Sequence, residues 1–151
     1  MKLTTLCYIQ DDAHVLMLHR NTKDNDENQG KWIGVGGHLE EGESPDECIL
    51  REISEETALQ VTDLHLRGII TFILPKWGNE LTFLYTAKAS RDITPICDEG
   101  TLKWIPLDEI MELELWEGDR IMLKNLFERS DVFPLKLIYS ADDRLFGYSV
   151  D

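Results

Sequence analysis

Apolar residues fall in short runs along much of the chain, and polar or glycine-containing segments punctuate them. Leu3 to Ile9 and His14 to Arg20 are strand-like runs divided by Gln10-Asp11-Asp12-Ala13, a pattern that predicts a hairpin. Asn21 to Gln29 carries Asn and Asp without an apolar period and predicts a loop. Lys31 to Val35 predicts a short strand ending in Gly36-Gly37, and a second loop follows at Glu40-Glu41-Gly42-Glu43. Leu64 to Leu74 and Leu81 to Ala89 predict long strands joined by the turn Pro75-Lys76-Trp77-Gly78-Asn79, with a shorter strand at Thr101 to Ile105. Leu107 to Met111 offers one helical turn at most. Asp119 to Glu128 sets Ile121, Met122 and Leu126 at helical spacing and predicts an amphipathic helix. Leu135 to Tyr139 and Leu145 to Val150 predict a closing hairpin around Ala141-Asp142-Asp143. There is no repeat, low-complexity tract or linker, and the pattern is that of an α/β protein, a mixed sheet with helices on its faces.

One helix is marked more sharply than the rest. Ser44 can cap it, Pro45 stands at its first position where a missing N–H does no harm, and Glu47 completes a capping box, so a helix is predicted from Pro45 to about Thr57. At 100° per residue, Glu52, Glu55 and Glu56 share roughly a third of its circumference. Like charges crowded on one face destabilise a helix, and glutamates sit poorly in a last turn, where the dipole favours cations. An acidic, solvated face would look the same, but a hard divalent cation with oxygen ligands is the natural compensator.

Composition narrows the classes. With 151 residues, 42% of them hydrophobic, the chain can bury one good core and is expected to form a single domain. No N-terminal apolar run resembles a signal segment and no stretch reaches membrane-spanning length, so a soluble cytoplasmic protein without membrane partners is expected. Cys7, Cys48 and Cys97 are odd in number and lack a CxxC pair, which suggests neither a disulfide framework nor a zinc site. The net charge of -14 argues against a nucleic-acid backbone as partner. It leaves room for a small anionic substrate if divalent cations lie between carboxylates and phosphates.

Gly37, Glu43 six positions on, Arg51-Glu52-Ile53, Glu55-Glu56 and Leu59 fit the pattern G-x5-E-x7-R-E-U-x-E-E-x-G-U, where U is aliphatic. This resembles the Nudix box. One position departs, since Ala58 stands where the second glycine is expected. The resemblance implies an α/β/α sandwich around a mixed central sheet and a hydrolase that cleaves the phosphoanhydride of a nucleoside diphosphate derivative with Mg²⁺, Mn²⁺ being a substitute. Carried over by position, Glu52 and Glu56 are expected as principal metal ligands, Glu55 as a further ligand or general base, and the Gly36 carbonyl as another ligand. Arg51, paired with Glu43, is expected to orient the carboxylates. The resemblance leaves open which glutamate deprotonates the water.

Beyond the box, the chain looks most like MutT-type enzymes that convert oxidised purine nucleoside triphosphates to the monophosphate and pyrophosphate, a nucleotide-pool sanitation that supports DNA repair. The segments that carry this are 30–37, Asp98-Glu99-Gly100-Thr101-Leu102-Lys103-Trp104 and Trp116-Glu117-Gly118-Asp119-Arg120. It implies Glu99 as a further metal ligand, Trp116 and Asp119 as base contacts, and Arg20 and Gly37 beside the phosphates, while His38, standing where many relatives have Lys, reads either as a weaker phosphate contact or as a loop residue. Trp116 with Asp119 also reads as a buried Trp beside a helix-capping Asp. Ile33 stands where some relatives carry a base-reading Asn. The substrate implied is 8-oxo-dGTP, with other nucleoside diphosphate derivatives, or nucleotide sensing without catalysis, as alternatives, and a monomer or homodimer as the assembly.

Overall fold

The structure is a computed structural model that describes residues 1–21, 27–93, 95, 97 and 99–150. Residues 22–26 of the expected polar loop, and Asp98, lie outside the described residues. In chain order come β1 (Lys2–Asp11), β2 (His14–His19), β3 (Trp32–Ile33), β4 (Val35–His38), α1 (Pro45–Thr57), β5 (Thr62–Ile73), β6 (Glu80–Lys88) and β7 (Thr101–Pro106). A 3-10 turn (Leu107–Glu112), α2 (Glu117–Glu128), β8 (Phe133–Tyr139) and β9 (Leu145–Val150) complete it.

All nine strands among the described residues join one mixed sheet, in which the order β3-β2-β1-β6-β5-β8-β9 carries β4 beside β1 and β7 beside β2. β1 runs parallel to β6 from Lys2↔Glu80 to Gln10↔Lys88. Its other edge is divided: Ile9 to Asp11 pair with β2, and Thr4 to Cys7 pair with β4. The strand expected at Lys31 to Val35 is therefore two strands broken at Gly34, one bonded to β2 and one to β1. Close backbone approach is the reason. A Cβ on Gly34 would lie 2.7 Å from the Cys7 carbonyl oxygen, and one on Gly36 would lie 2.0 Å from that of Thr5. Gly36 and Gly37 belong to β4 itself rather than ending a strand, and at Gly36 only a bare backbone fits against β1.

Alternation along β1 divides the core. Cys7 and Ile9 pack with Ile49 and Ile53 of α1 on one face. Tyr8 packs with Met122, Leu123 and Leu126 of α2 on the other. Each fully buried aliphatic side chain contributes about 1.5–3 kcal/mol at most. The result is the expected helix-sheet-helix sandwich.

α1 has the start its sequence predicts: the Ser44 hydroxyl accepts from Glu47 N at 3.1 Å, and Glu47 Oε1 accepts from Ser44 N at 3.0 Å. Its end shows what replaces the missing glycine. Ala58 itself takes the left-handed conformation, φ 60° and ψ 11°, and its N–H reaches the Ser54 carbonyl. Buried Thr57 stitches the terminus by donating to the Ile53 carbonyl at 2.7 Å and accepting from Leu59 N at 3.0 Å. α2 begins at Glu117, two residues ahead of the apolar pattern, with Trp116 at its cap position and no side-chain cap bond. The expected helix-capping role for Asp119 is thereby excluded, since Asp119 lies inside the first turn.

Candidate active site

Arg51 organises the solvent side of α1. Its Nε and Nη2 donate to Glu43, Nη2 also to the His38 carbonyl at 3.1 Å, and Nη1 to Glu52 at 2.9 Å and Glu55 at 3.2 Å. Glu40 stands 3.6 Å from the same Nη1. One guanidinium thus fixes the loop that leaves β4 against the acidic face, using the planar fork that Arg alone has. The Arg51 hydrogen bonds and the Glu40 backbone N–H pull the Glu43 carboxyl down to about 2.

Glu56 points the other way, into the fold. It accepts from Gly36 N at 3.1 Å. Burial pushes its carboxyl up to about 8, reinforced by the negative charges of Glu52 and Glu99 and opposed by Gly36 N–H and Arg20. Burial also raises Glu52, whose bond to Arg51 partly offsets that, while Glu55 and Glu99 push it higher. The Glu52 carboxylate lies over Gly37, where a Cβ would come within 2.5 Å of it. Glu55 is 60% exposed. Glu99, just ahead of β7, pairs with Arg20 at 3.4 Å.

Glu52, Glu56 and Glu99 therefore repel one another on a partly desolvated surface. Among the described residues, no three His, Cys, Asp or Glu side chains are gathered tightly enough to hold a metal ion as they stand. The donor set matches a hard divalent cation by its chemistry, oxygen ligands carrying excess negative charge, rather than by a finished cage.

A cavity of about 530 Å³ joins this surface to the α2 side of the sheet. Glu52, Glu56, Glu99, Arg20, Gly36 and Gly37 line one part of it. Trp116, Asp119 and Tyr139 also line it, as do Ile33 and Asn28. His38 also lines it, as the exposed last residue of β4. Trp116 is held by its Nε1 donating to Asn28 Oδ1 at 2.8 Å, by an edge contact to Tyr139 with centroids 5.4 Å apart, and by Lys31 Nζ 5.5 Å over its ring. Asp119 is only 6% exposed and bonds through its side chain to no described residue. Burial raises its carboxyl to about 7, with Lys31 opposing.

A model of the NUDIX domain matches residues 2–126 of the chain. The chain belongs to the Nudix family. Nudix hydrolases act on small nucleotide substrates and generally use a divalent metal. Over its whole length the chain is 27% identical to YvcI, an uncharacterized Nudix hydrolase of Bacillus subtilis (strain 168), of which the match spans 95%. It is 26% identical to the oxidized purine nucleoside triphosphate hydrolase of Mus musculus, over 99% of the chain and 94% of that protein. The crystal structure of a MutT protein from Bacillus halodurans superposes with a TM-score of 0.87 at 27% identity, covering 100% of this chain and 98% of that one. No helix among the described residues is long and apolar enough to cross a membrane.

Of the expected site residues of this Nudix hydrolase, Arg20, Gly36, Gly37, His38, Glu52, Glu56, Glu99, Trp116 and Asp119 line this cavity, while Arg51, bonded to Glu43 and Glu55, lies with them outside its lining. Several other lining residues have no motif to announce them. Asn28 sits in a loop whose spacing is unconstrained, and Thr4, Thr82 and Glu80 are single polar residues on strands. The strand residues among them share one face by parity, since Thr4 stands opposite Thr82 and Glu80 lies two positions before Thr82, but that face carries other polar residues and parity does not single them out.

Proposed function

We propose that the chain is a Mg²⁺-dependent pyrophosphohydrolase of oxidised purine nucleoside triphosphates, with 8-oxo-dGTP as its substrate and the monophosphate and pyrophosphate as products. The observation that carries this is the continuity of the cavity from the α1 carboxylates to Trp116 and Asp119. Its volume of about 530 Å³ suits a ligand of nucleotide size, with an anionic end at the carboxylates and a flat end beside an aromatic ring. The names of relatives from Mus musculus and Danio rerio, both oxidized purine nucleoside triphosphate hydrolases, support the same class.

Glu52, Glu56, Glu99 and the Gly36 carbonyl would hold the cation, with Mn²⁺ as a substitute. When bound, it supplies charge neutralisation at the phosphates and a lowered pKa for the attacking water. Arg51 holds Glu52 and Glu55 on the same side of α1. Glu55 is exposed and Glu56 is fixed by Gly36 N–H, and the attacking water gives its proton to one of these two carboxylates. Arg20, Gly37 and His38 border the polyphosphate. Trp116 offers a stacking face and Asp119 a hydrogen-bonding group for the base, and both acquire a nucleotide role that burial alone does not explain.

Pyrophosphate release with Mg²⁺ across 8-oxo-dGTP, the ordinary dNTPs, ADP-ribose and a dinucleoside polyphosphate tests the reading. The expected result is a kcat/KM for 8-oxo-dGTP at least tenfold above the others. A preference elsewhere would keep the hydrolase and discard the base pocket, whereas no turnover on any of them would favour a nucleotide sensor.

A further inference from the structure

The cavity of this Nudix chain also has a polar floor. Thr4 of β1 and Thr82 of β6 stand opposite each other in register, both buried, with hydroxyl oxygens 2.7 Å apart. One O–H is used between them. The pair keeps a second O–H and several lone pairs that no described residue engages. Two positions earlier on β6, and so on the same sheet face, comes Glu80. Its side chain is 14% exposed, and its cationic neighbour, Lys2 Nζ, is 3.9 Å away while donating to the Trp77 carbonyl at 2.9 Å. Burial pushes the Glu80 carboxyl up, with Lys2 opposing. All three side chains line the cavity beside the apolar Phe72 and Leu74.

A cross-strand threonine pair can be a plain sheet contact. Glu80 has no such account. A mostly buried carboxylate lining this cavity, with one cation at the outer limit of pairing, costs stability unless a ligand takes up its acceptor capacity. Asp119, more than nine-tenths buried and without a side-chain bond to any described residue, lines the same cavity from α2. Two independent elements thus present hydrogen-bonding groups to one cavity.

We infer that Glu80 and the Thr4–Thr82 hydroxyl pair read the hydrogen-bonding edge of the substrate's base and select a guanine-type edge, in which two adjacent N–H donors stand beside a carbonyl. This rests on the placement of the base in the cavity proposed above. A carboxylate is acceptor-only and takes two parallel N–H donors, while the spare threonine O–H donates to the neighbouring carbonyl. An adenine-type edge instead aims a ring-nitrogen lone pair at carboxylate oxygens and leaves the hydroxyl without its acceptor. A site built to hydrogen-bond one edge rejects the other mainly through the groups it would strand.

The test compares 8-oxo-dGTP with 8-oxo-dATP, which share the oxidised imidazole edge and differ in the edge at issue. With Mg²⁺ and the full chain, the wild type should favour 8-oxo-dGTP. Glu80→Gln gives the wall one donor and one acceptor, as an adenine-type edge requires, and should shift the kcat/KM ratio toward 8-oxo-dATP about tenfold or more. Thr82→Val should raise KM for 8-oxo-dGTP about tenfold with kcat within about twofold, and Thr82→Ser should restore it. A second measurement needs no substitution: titration of the wild-type protein without Mg²⁺ should show 8-oxo-dGMP binding at least tenfold more tightly than 8-oxo-dAMP. Equal affinity for the two monophosphates, or variants that leave the substrate ratio unchanged in an enzyme that prefers 8-oxo-dGTP, would overturn this inference alone. A wild type that cleaves neither oxidised triphosphate would overturn the substrate reading itself, and this inference with it.

Discussion

The Arg51 guanidinium takes Glu43 in a two-pronged grip, Nε to Oε2 at 2.5 Å and Nη2 to Oε1 at 2.9 Å, and so binds the loop before α1 to the helix that carries the acidic face. Arg51→Lys keeps the charge and loses the fork. It should lower kcat/KM about ten- to a hundredfold, chiefly through kcat, as steady-state kinetics would show. The same grip has an acid signature. Because the folded Glu43 carboxyl sits at about 2, below its unfolded value, its stabilising effect is present above about 4.5 and is lost as pH falls toward 2. Melting temperature against pH should show that acid limb in the wild type, and Glu43→Gln should flatten it.

Glu56→Gln tests the buried end of the acidic face. Turnover with Mg²⁺ should fall about a hundredfold or more. The fold should survive, because Gln resembles the protonated form that burial favours below about 8. Added Mg²⁺ should raise the melting temperature of the wild type and not of the variant. A variant that turns over near the wild-type rate would show that the metal ligands lie elsewhere.

Adjacent glycines should fail differently. Gly36→Ala drives a methyl group into the Thr5 backbone and should unfold or strongly destabilise the protein. Gly37→Ala meets the Glu52 side chain first, and that side chain can swing aside. It should cost about 1 kcal/mol or less in urea unfolding while reducing kcat much more, since the displaced group is the one expected to bind metal.

Asp119 predicts an unusual pH dependence of stability. Its folded carboxyl is raised to about 7, so the folded chain holds a proton that the unfolded chain releases near 4. Its contribution is fully present below about 4 and is lost as pH rises through about 7. Asp119→Asn should therefore be more stable than the wild type at pH 8, by up to roughly 4 kcal/mol, and about equal near pH 4. Chemical denaturation at the two pH values would reveal it. The same variant should raise KM for purine triphosphates and spare pyrimidines.

Ala58 offers a prediction outside the site. An alanine held at φ 60° is strained, and Ala58→Gly should gain about 0.5–1 kcal/mol, near 1–4 °C in melting temperature, with kcat unchanged.

Local rules carried the sequence far where the chemistry is local. Ser44, Pro45 and Glu47 declare the start of α1 by their spacing, and the acidic face follows from the helix period. Tertiary contacts decide the rest. Gly34 divides what reads as one strand because β1 presses on it from a distance no neighbouring residue reveals. α2 starts early because Glu117 is held by Arg144 and the Leu145 N–H, partners more than twenty residues away, and Gly118 N donates to the Tyr139 hydroxyl. Thr4 and Thr82 become a pair only once β1 and β6 lie parallel in their observed register. A motif can list the carboxylates of α1, but it cannot list what a sheet brings to the far side of the cavity.

Neighbouring threonines on β1 illustrate what that arrangement permits. The Thr5 hydroxyl meets Cys48 and the Gly37 carbonyl on the α1 side, whereas the Thr4 hydroxyl meets Thr82 on the other. On the reading proposed above, one step along the strand separates support of the hydrolytic site from the choice of base. On that reading, substitution at Thr4 or Thr82 would alter the preference for base while leaving the Thr5 contacts to Cys48 and Gly37 in place.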